Sequence, residues 1–225
     1  YSIDARNIKN PIYPCPIQMG GKNANGQMLS IGNYYLSLDG KPFFGICGEA
    51  HFSRINRELW EDEIIKMKAG GLNMIATYIF WIHHEEIEGT FDFSGNKDLR
   101  LFLELCKKNH MYVILRIGPF SHGECRNGGF PDWIYGQPFD IRCDDPSYLY
   151  YTRRFYEQIY QQAKGLLFKD NGPVIGVQLE NEHEHASCPW EMTTENSKEW
   201  VVSGHDGKNH MSTLKKIAKE VGFDV

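Results

Sequence analysis

Four apolar runs of strand length, each followed by a stretch with helical spacing, constrain this chain more than any other feature. The runs lie at about 43–49, at "NMIATYIF" (73–80), at "MYVILRIG" (111–118) and at "PVIGVQLE" (173–180). Runs apolar on both faces leave no side for water, so they predict parallel strands covered by helices. A helix opening at Asn56 carries Trp60, Ile64 and Met67 on one face and stops at Gly70-Gly71. A second, from about Lys97, places Leu99, Phe102, Leu103 and Cys106 together. Asp145-Pro146 has the cap and first-turn pairing of a third, whose face is Phe155, Ile159, Ala163 and Leu166. Leu214, Ile217, Ala218 and Val221 mark a last one. Ahead of these elements, "YYLSLDGKPFFGI" reads as a hairpin turning at Asp39-Gly40. Residues 1–32, rich in Gly, Asn and Pro without a period, read as an irregular lead-in to an α/β unit spanning 33–225.

Two architectures fit this alternation, a doubly wound sheet and a (β/α)8 barrel. The nucleotide-binding version of the first needs a Gly-rich phosphate loop after the opening strand, where "GEAHFSR" stands instead. A barrel gathers its chemistry at the C-terminal ends of strands. Polar groups fall there: Glu49 and His51 after the first, Tyr78 to Glu85 after the second, His122 and Glu124 after the third, Glu182 after the fourth. The expected fold is therefore α/β of the (β/α)8 TIM-barrel type, with this chain holding the first four βα units. Eight units take ~250 residues, so the reading implies a piece of a longer protein.

Bulk properties exclude several partners. A net charge of −5 argues against nucleic acid or an anionic membrane surface. No apolar run approaches the ~20 residues that cross a bilayer. The six cysteines form no CxxC pair, which excludes a ribbon-type zinc site and a disulfide-dense mini-fold. A chain starting at Tyr1 rather than Met reads as trimmed of a leader. Nothing calls for a cofactor, and nothing bears on the oligomeric state.

The densest chemistry is "VQLENEHEH", residues 177–185. A solvated loop, a metal site and a catalytic carboxylate at a strand tip all fit these residue types. His183 and His185 alternate as zinc ligands might, and His83-His84 forms a second pair, but loop histidines at such spacing usually ligate nothing. Glu182 follows an apolar run, so partial desolvation at the rim would raise its pKa into the range of a general acid. Glycoside hydrolysis needs such a group, and the Asn181 amide beside it suits a sugar hydroxyl. Glu124 lies in "GPFSHGECRNGGFPDW". That stretch is either a flexible linker or an ordered loop whose Phe120, Phe130 and Trp133 flank a sugar-binding carboxylate. Tyr78 belongs either to the core or, through its hydroxyl, to the site. Arg54, Arg116 and Arg126 are available to pair with these carboxylates.

In order along the chain, "GEAHFSRINRELWEDEIIKMKAGGLNMIATYIFW", "HEEIEGTFDFSGNKDLRLFLELCKKNHMYVILRIGPF", "NGGFPDW" and "GPVIGVQLENE" resemble successive blocks of the family 35 glycoside hydrolases, the β-galactosidase family. The resemblance runs from about Gly40 to Glu182. It implies a (β/α)8 barrel and a retaining exo-hydrolase that removes terminal β-D-galactose, without cofactor or metal. Glu182 of the Asn-Glu pair matches the family's acid/base. Tyr78, Glu124 and Asn181 match its sugar contacts, and Gly123 its backbone contact. Glu180 is then rim support and His183 to His185 loop. The family's nucleophile, a Glu after the seventh strand, has no counterpart in this chain. The resemblance also implies an extracellular or periplasmic location, lysosomal in a eukaryote. Departures stand at Ile82, Glu86, Cys125 and His183, along the edge of the expected site. Two other readings remain: a barrel hydrolase for another β-glycoside, and a carbohydrate-binding fragment without turnover.

Overall fold

The computed structural model describes residues 11–13, 19–183 and 207–224. It contains two four-stranded sheets. The first is antiparallel and built from β1 (Gly20–Lys22), β2 (Met28–Ile31), β3 (Leu36–Leu38) and β4 (Lys41–Phe43). Its last two strands are the expected hairpin, with Asp39 and Gly40 at φ 52° and 73°, the left-handed pair that a two-residue turn between twisted strands requires. The stretch expected to be irregular up to residue 32 thus supplies two strands. Both are short and carry little apolar periodicity, so no local signal marks them.

The second sheet is parallel, with β5 (Cys47–Glu49), β6 (Met74–Tyr78), β7 (Tyr112–Gly118) and β8 (Val174–Leu179) in sequence order. The run at 43–49 is split between the sheets. Phe43 pairs with Leu36 in the first and Cys47 with Met74 in the second. Helices connect the parallel strands: α1 (Trp60–Ala69), the short α2 (Trp81–His84) with α3 (Leu99–Lys108), and α4 (Pro146–Ala163), with α5 (Gly207–Val221) after β8. Helix α1 packs on α3, α3 on α4 and α4 on α5, so these four form one layer on one face. A doubly wound sheet would reverse its strand order and place helices on both faces. Sequential strands under a single helical layer are the wall of a partial α/β barrel.

The caps and faces follow the sequence. Asn56 caps a 3-10 turn ahead of α1, accepting from the Glu58 N–H, and Asp98 caps α3 through the Leu101 N–H. Asp145 caps α4, with Pro146 in its first turn. Trp60, Ile64, Leu99, Phe102, Leu103, Cys106, Phe155, Ile159 and Ala163 are all buried. Leu166 is buried too, although α4 ends at Ala163. Along β7, Val113, Leu115 and Ile117 are buried toward the helices, while Tyr112, Ile114 and Arg116 between them are half-buried on the opposite face. That second face carries Arg116, level with Tyr78 and Gln178 on the neighbouring strands. No helix among the described residues is long and apolar enough to cross a membrane.

Candidate active site

Register brings the site together. Tyr78 on β6 is level with Arg116 on β7, which is level with Gln178 on β8. All three side chains converge on Asn181, just past the end of β8. The Tyr78 hydroxyl donates to Asn181 Oδ1 at 2.9 Å, Arg116 Nη2 at 2.8 Å and Gln178 Nε2 at 3.2 Å. Three donors on one atom identify it as the amide oxygen, and the NH2 group finds no partner among the described residues. The guanidinium of Arg116 lies 3.6 Å over the Tyr78 ring and is paired with Glu49 at the tip of β5. Burial pushes the Tyr78 hydroxyl up to about 12, with Glu49, Glu182 and Glu124 adding to the rise and Arg116 opposing it. Tyr78 therefore keeps its proton at neutral pH. His51, after β5, sits with its ring 5.0 Å from that of Tyr78 and accepts the Tyr78 N–H at Nδ1, 3.4 Å away. Its pKa is lowered by burial.

Beyond β8 the chain turns sharply. Glu180 and Glu182 have φ of 58° and 45°, which project the residues at this tip differently from a continuing strand. Glu180, read as rim support, is buried. It forms a bidentate pair with Arg142, Nε to Oε1 at 3.2 Å and Nη2 to Oε2 at 2.5 Å. Glu182 is exposed. The apolar residues of β8 do not cover it, so the desolvation expected from its sequence neighbours does not come from them.

Glu124 is also exposed, on the loop after β7. His122, Gly123 and Glu124 have consecutive φ of 56°, 52° and 48°, and the N–H groups of Ser121 and His122 both donate to the Gly128 carbonyl. This is an ordered loop, not a linker. At Gly123 a Cβ would stand 2.9 Å from the Phe80 ring and 3.2 Å from the Tyr78 ring, so only glycine lets the loop lie against the site. Glu124 also lines a cleft of about 370 Å³ with Arg54, Ile82, His83, Glu86, Lys97, Cys125 and Arg126.

Several expectations need correction. Phe120 and Phe130 are buried, and Trp133 is half-buried with its indole N–H on the Glu85 carbonyl, so these rings support the loop instead of flanking Glu124 as sugar platforms. Of the three arginines, only Arg116 pairs with a strand-tip carboxylate. Arg126 pairs with Asp132, and Arg54 lies 4.4 Å over the Phe80 ring. His183 stands in the loop after β8, as read, but is buried. Its Nε2–H donates to the Arg142 carbonyl at 2.9 Å and its ring stacks on His210 at 5.0 Å. Glu184 and His185 lie outside the described residues. His84 is a core residue, stacked on Phe93 and lowered to about 4 by burial, and His83 bonds Ser53. No group of three or more His, Cys, Asp or Glu that could hold a metal occurs among the described residues. Sequence reasoning overlooked Arg142, which stands in an irregular loop where no periodicity draws attention to it.

Comparison with known proteins points to one family. A β-galactosidase from Xanthomonas manihotis is 37% identical over 169 residues, covering 75% of this chain and 28% of that protein. The human β-galactosidase is 39% identical over 167 residues, covering 73% of this chain and 25% of its own length. The chain thus spans about a quarter of the curated relatives it matches. The solved endo-1,4-β-mannanase of Rhizomucor miehei superposes with a TM-score of 0.60 at 14% identity, over 86% of this chain and 57% of that one, and supports the barrel fold alone. Residues 35–221 match the profile of the glycosyl hydrolases family 35, most of the chain's length, and the chain belongs to that family.

Proposed function

We propose that the protein to which this chain belongs removes terminal β-D-galactose from oligo- or polysaccharides with retention of configuration. Glu182 is the acid/base, Asn181, Tyr78 and Glu124 hold the sugar, the Gly123 backbone contributes, and the nucleophile comes from outside this chain. The observation that carries the reading is the Asn181–Glu182 turn at the tip of β8. There an amide with its oxygen saturated stands beside an exposed carboxylate, among donors from this strand and two others. The names of the β-galactosidase relatives support the galactoside. The location proposed with it is secreted or lysosomal, which fractionation of the source cells tests.

In a retaining hydrolase the two carboxyl groups stand ~5–5.5 Å apart, and a covalent glycosyl-enzyme forms and is then hydrolysed. Product analysis by NMR on an aryl β-galactoside should show the β-anomer of galactose first. Initial release of the α-anomer would overturn the mechanism, and a stronger response to another glycoside in a chromogenic panel would overturn the substrate.

No metal enters this scheme. His183 is spent on the Arg142 carbonyl and the His210 ring, and His83 and His84 on Ser53 and the core. Dialysis against a strong chelator should leave activity of the parent protein unchanged within error. Stoichiometric metal lost together with activity would refute the assignment.

A further inference from the structure

We infer that Arg142 is the positioning residue that sets the direction of the Glu182 carboxylate, an inference that rests on Glu182 being the acid/base. The guanidinium is fully buried. Besides its pair with Glu180, Nη2 donates to the carbonyls of Asn181 at 2.8 Å and Glu182 at 3.2 Å. One cation thus holds the carboxylate before the site residues and the backbone oxygens of the site residues themselves. Those bonds fall on the segment where φ is positive at Glu180 and again at Glu182. A non-glycine residue held left-handed carries a steric cost, so two in three residues need an external restraint. Glu180 completes the loop of contacts by accepting the Asn181 N–H at 3.0 Å.

Arg142 is itself held from both sides. Its guanidinium lies 3.8 Å over the Phe120 ring, on the segment after β7. Gly128 presses on that ring from beyond, where a Cβ would come within 1.8 Å of it. The Arg142 carbonyl accepts from His183, which stacks on His210, and His210 Nδ1 meets Asp144 Oδ1 at 2.7 Å. The loop before α4, helix α5 and the tip of β8 are thereby locked around one guanidinium. Glu182 contributes nothing to this lock except its carbonyl, which leaves its carboxylate exposed but its backbone fixed. That is the arrangement an acid needs when its proton must reach one glycosidic oxygen.

The test uses the full-length parent and a ratio: kcat/KM on a dinitrophenyl galactoside, whose leaving group needs no proton, over kcat/KM on a galactosyl disaccharide, whose leaving group does. Measured on one sample, the ratio does not depend on how much of the protein is folded. Arg142→Lys keeps a cation near Glu180 but loses the rigid guanidinium in which Nε holds Glu180 while Nη2 reaches both carbonyls, and should raise the ratio by roughly 10²-fold, the scale of a 1 Å misplacement. Phe120→Leu removes the floor under the guanidinium, leaves every charge in place, and should raise it less. It also serves if Arg142→Lys does not accumulate. An unchanged ratio in both variants, or in Phe120→Leu alone if only that one accumulates, while Glu182→Gln raises it, would show that Arg142 only stabilises the fold. An unchanged ratio in Glu182→Gln removes the acid/base assignment, and the inference with it.

Discussion

Glu182→Gln in the full-length parent should slow hydrolysis of galactosyl disaccharides by ~10²–10⁴-fold, the usual worth of a positioned general acid. Dinitrophenyl galactoside should suffer far less in forming the glycosyl-enzyme, because its leaving oxygen departs without a proton. Hydrolysis of that intermediate still needs a base to activate water, so the glycosyl-enzyme should accumulate and burst kinetics should appear on the activated substrate. Added azide should restore turnover and yield galactosyl azide, since an anionic nucleophile attacks the glycosyl-enzyme without needing a base. Equal losses on both substrates, without a burst, would move the role to Glu124. That carboxylate is exposed and shares the electrostatic environment of Tyr78 with Glu182.

Residues 1–225 produced alone should give no measurable turnover of any aryl galactoside. The retaining route needs a second carboxylate free to attack, and several at the described strand ends are committed elsewhere. Glu49 is tied to Arg116 and Glu180 to Arg142, while Glu85 is buried against Arg154, the Trp81 indole N–H and the Gly89 N–H. The scaffold is also open. Among the described residues, β5 pairs with β6 alone in the parallel sheet, and β8 with β7 apart from an isolated bridge of Val174 to Leu167. Most of β8 is half-buried and β5 is more exposed still, whereas β6 is largely buried. Two open edges of a parallel sheet invite pairing with another copy. Size-exclusion chromatography should therefore show self-association or an expanded, poorly cooperative species. Hydrolysis proportional to the amount of pure 225-residue protein would defeat the catalytic half of this expectation, and a compact, cooperatively unfolding monomer the structural half.

What the sequence makes legible is set by the range over which each feature is determined. The parallel strands and their helices are local patterns, so β6, β7, β8 and the buried faces of α1, α3 and α4 appear where periodicity and caps place them. The placement of Tyr78, Asn181 and Glu182 at strand ends is legible for the same reason, since a polar residue ending an apolar strand stands at its tip. Arg142 is not. Its role comes from a loop folding back on a strand tip 38 residues further along, and no local spacing encodes that. The aromatics of the loop after β7 mislead for a related reason. Phe120 and Phe130 look like a surface platform among glycines, yet Gly128 and Gly129, both at positive φ, let the loop fold onto them and bury them. The burial of His183 is hidden because its partners, the Arg142 carbonyl and His210, lie 41 and 27 positions away along the chain.

The saturation of the Asn181 oxygen has a consequence for what the site can receive. With Tyr78, Arg116 and Gln178 all donating to Oδ1, the amide cannot flip, because flipping would set its NH2 against three donors. Asn181 can then offer a ligand only a hydrogen-bond donor. A sugar hydroxyl meeting it must accept, and must send its own hydrogen onward to an acceptor. Glu49 is tied to Arg116, so the exposed carboxylates of Glu182 and Glu124, which also act on Tyr78, are the acceptors the site offers. Strand register thus fixes the polarity of a single hydrogen bond. If Asn181 holds the sugar as proposed, the site would thereby distinguish a hydroxyl, which relays, from an ammonium group, which only donates and would meet the amide hydrogens head-on.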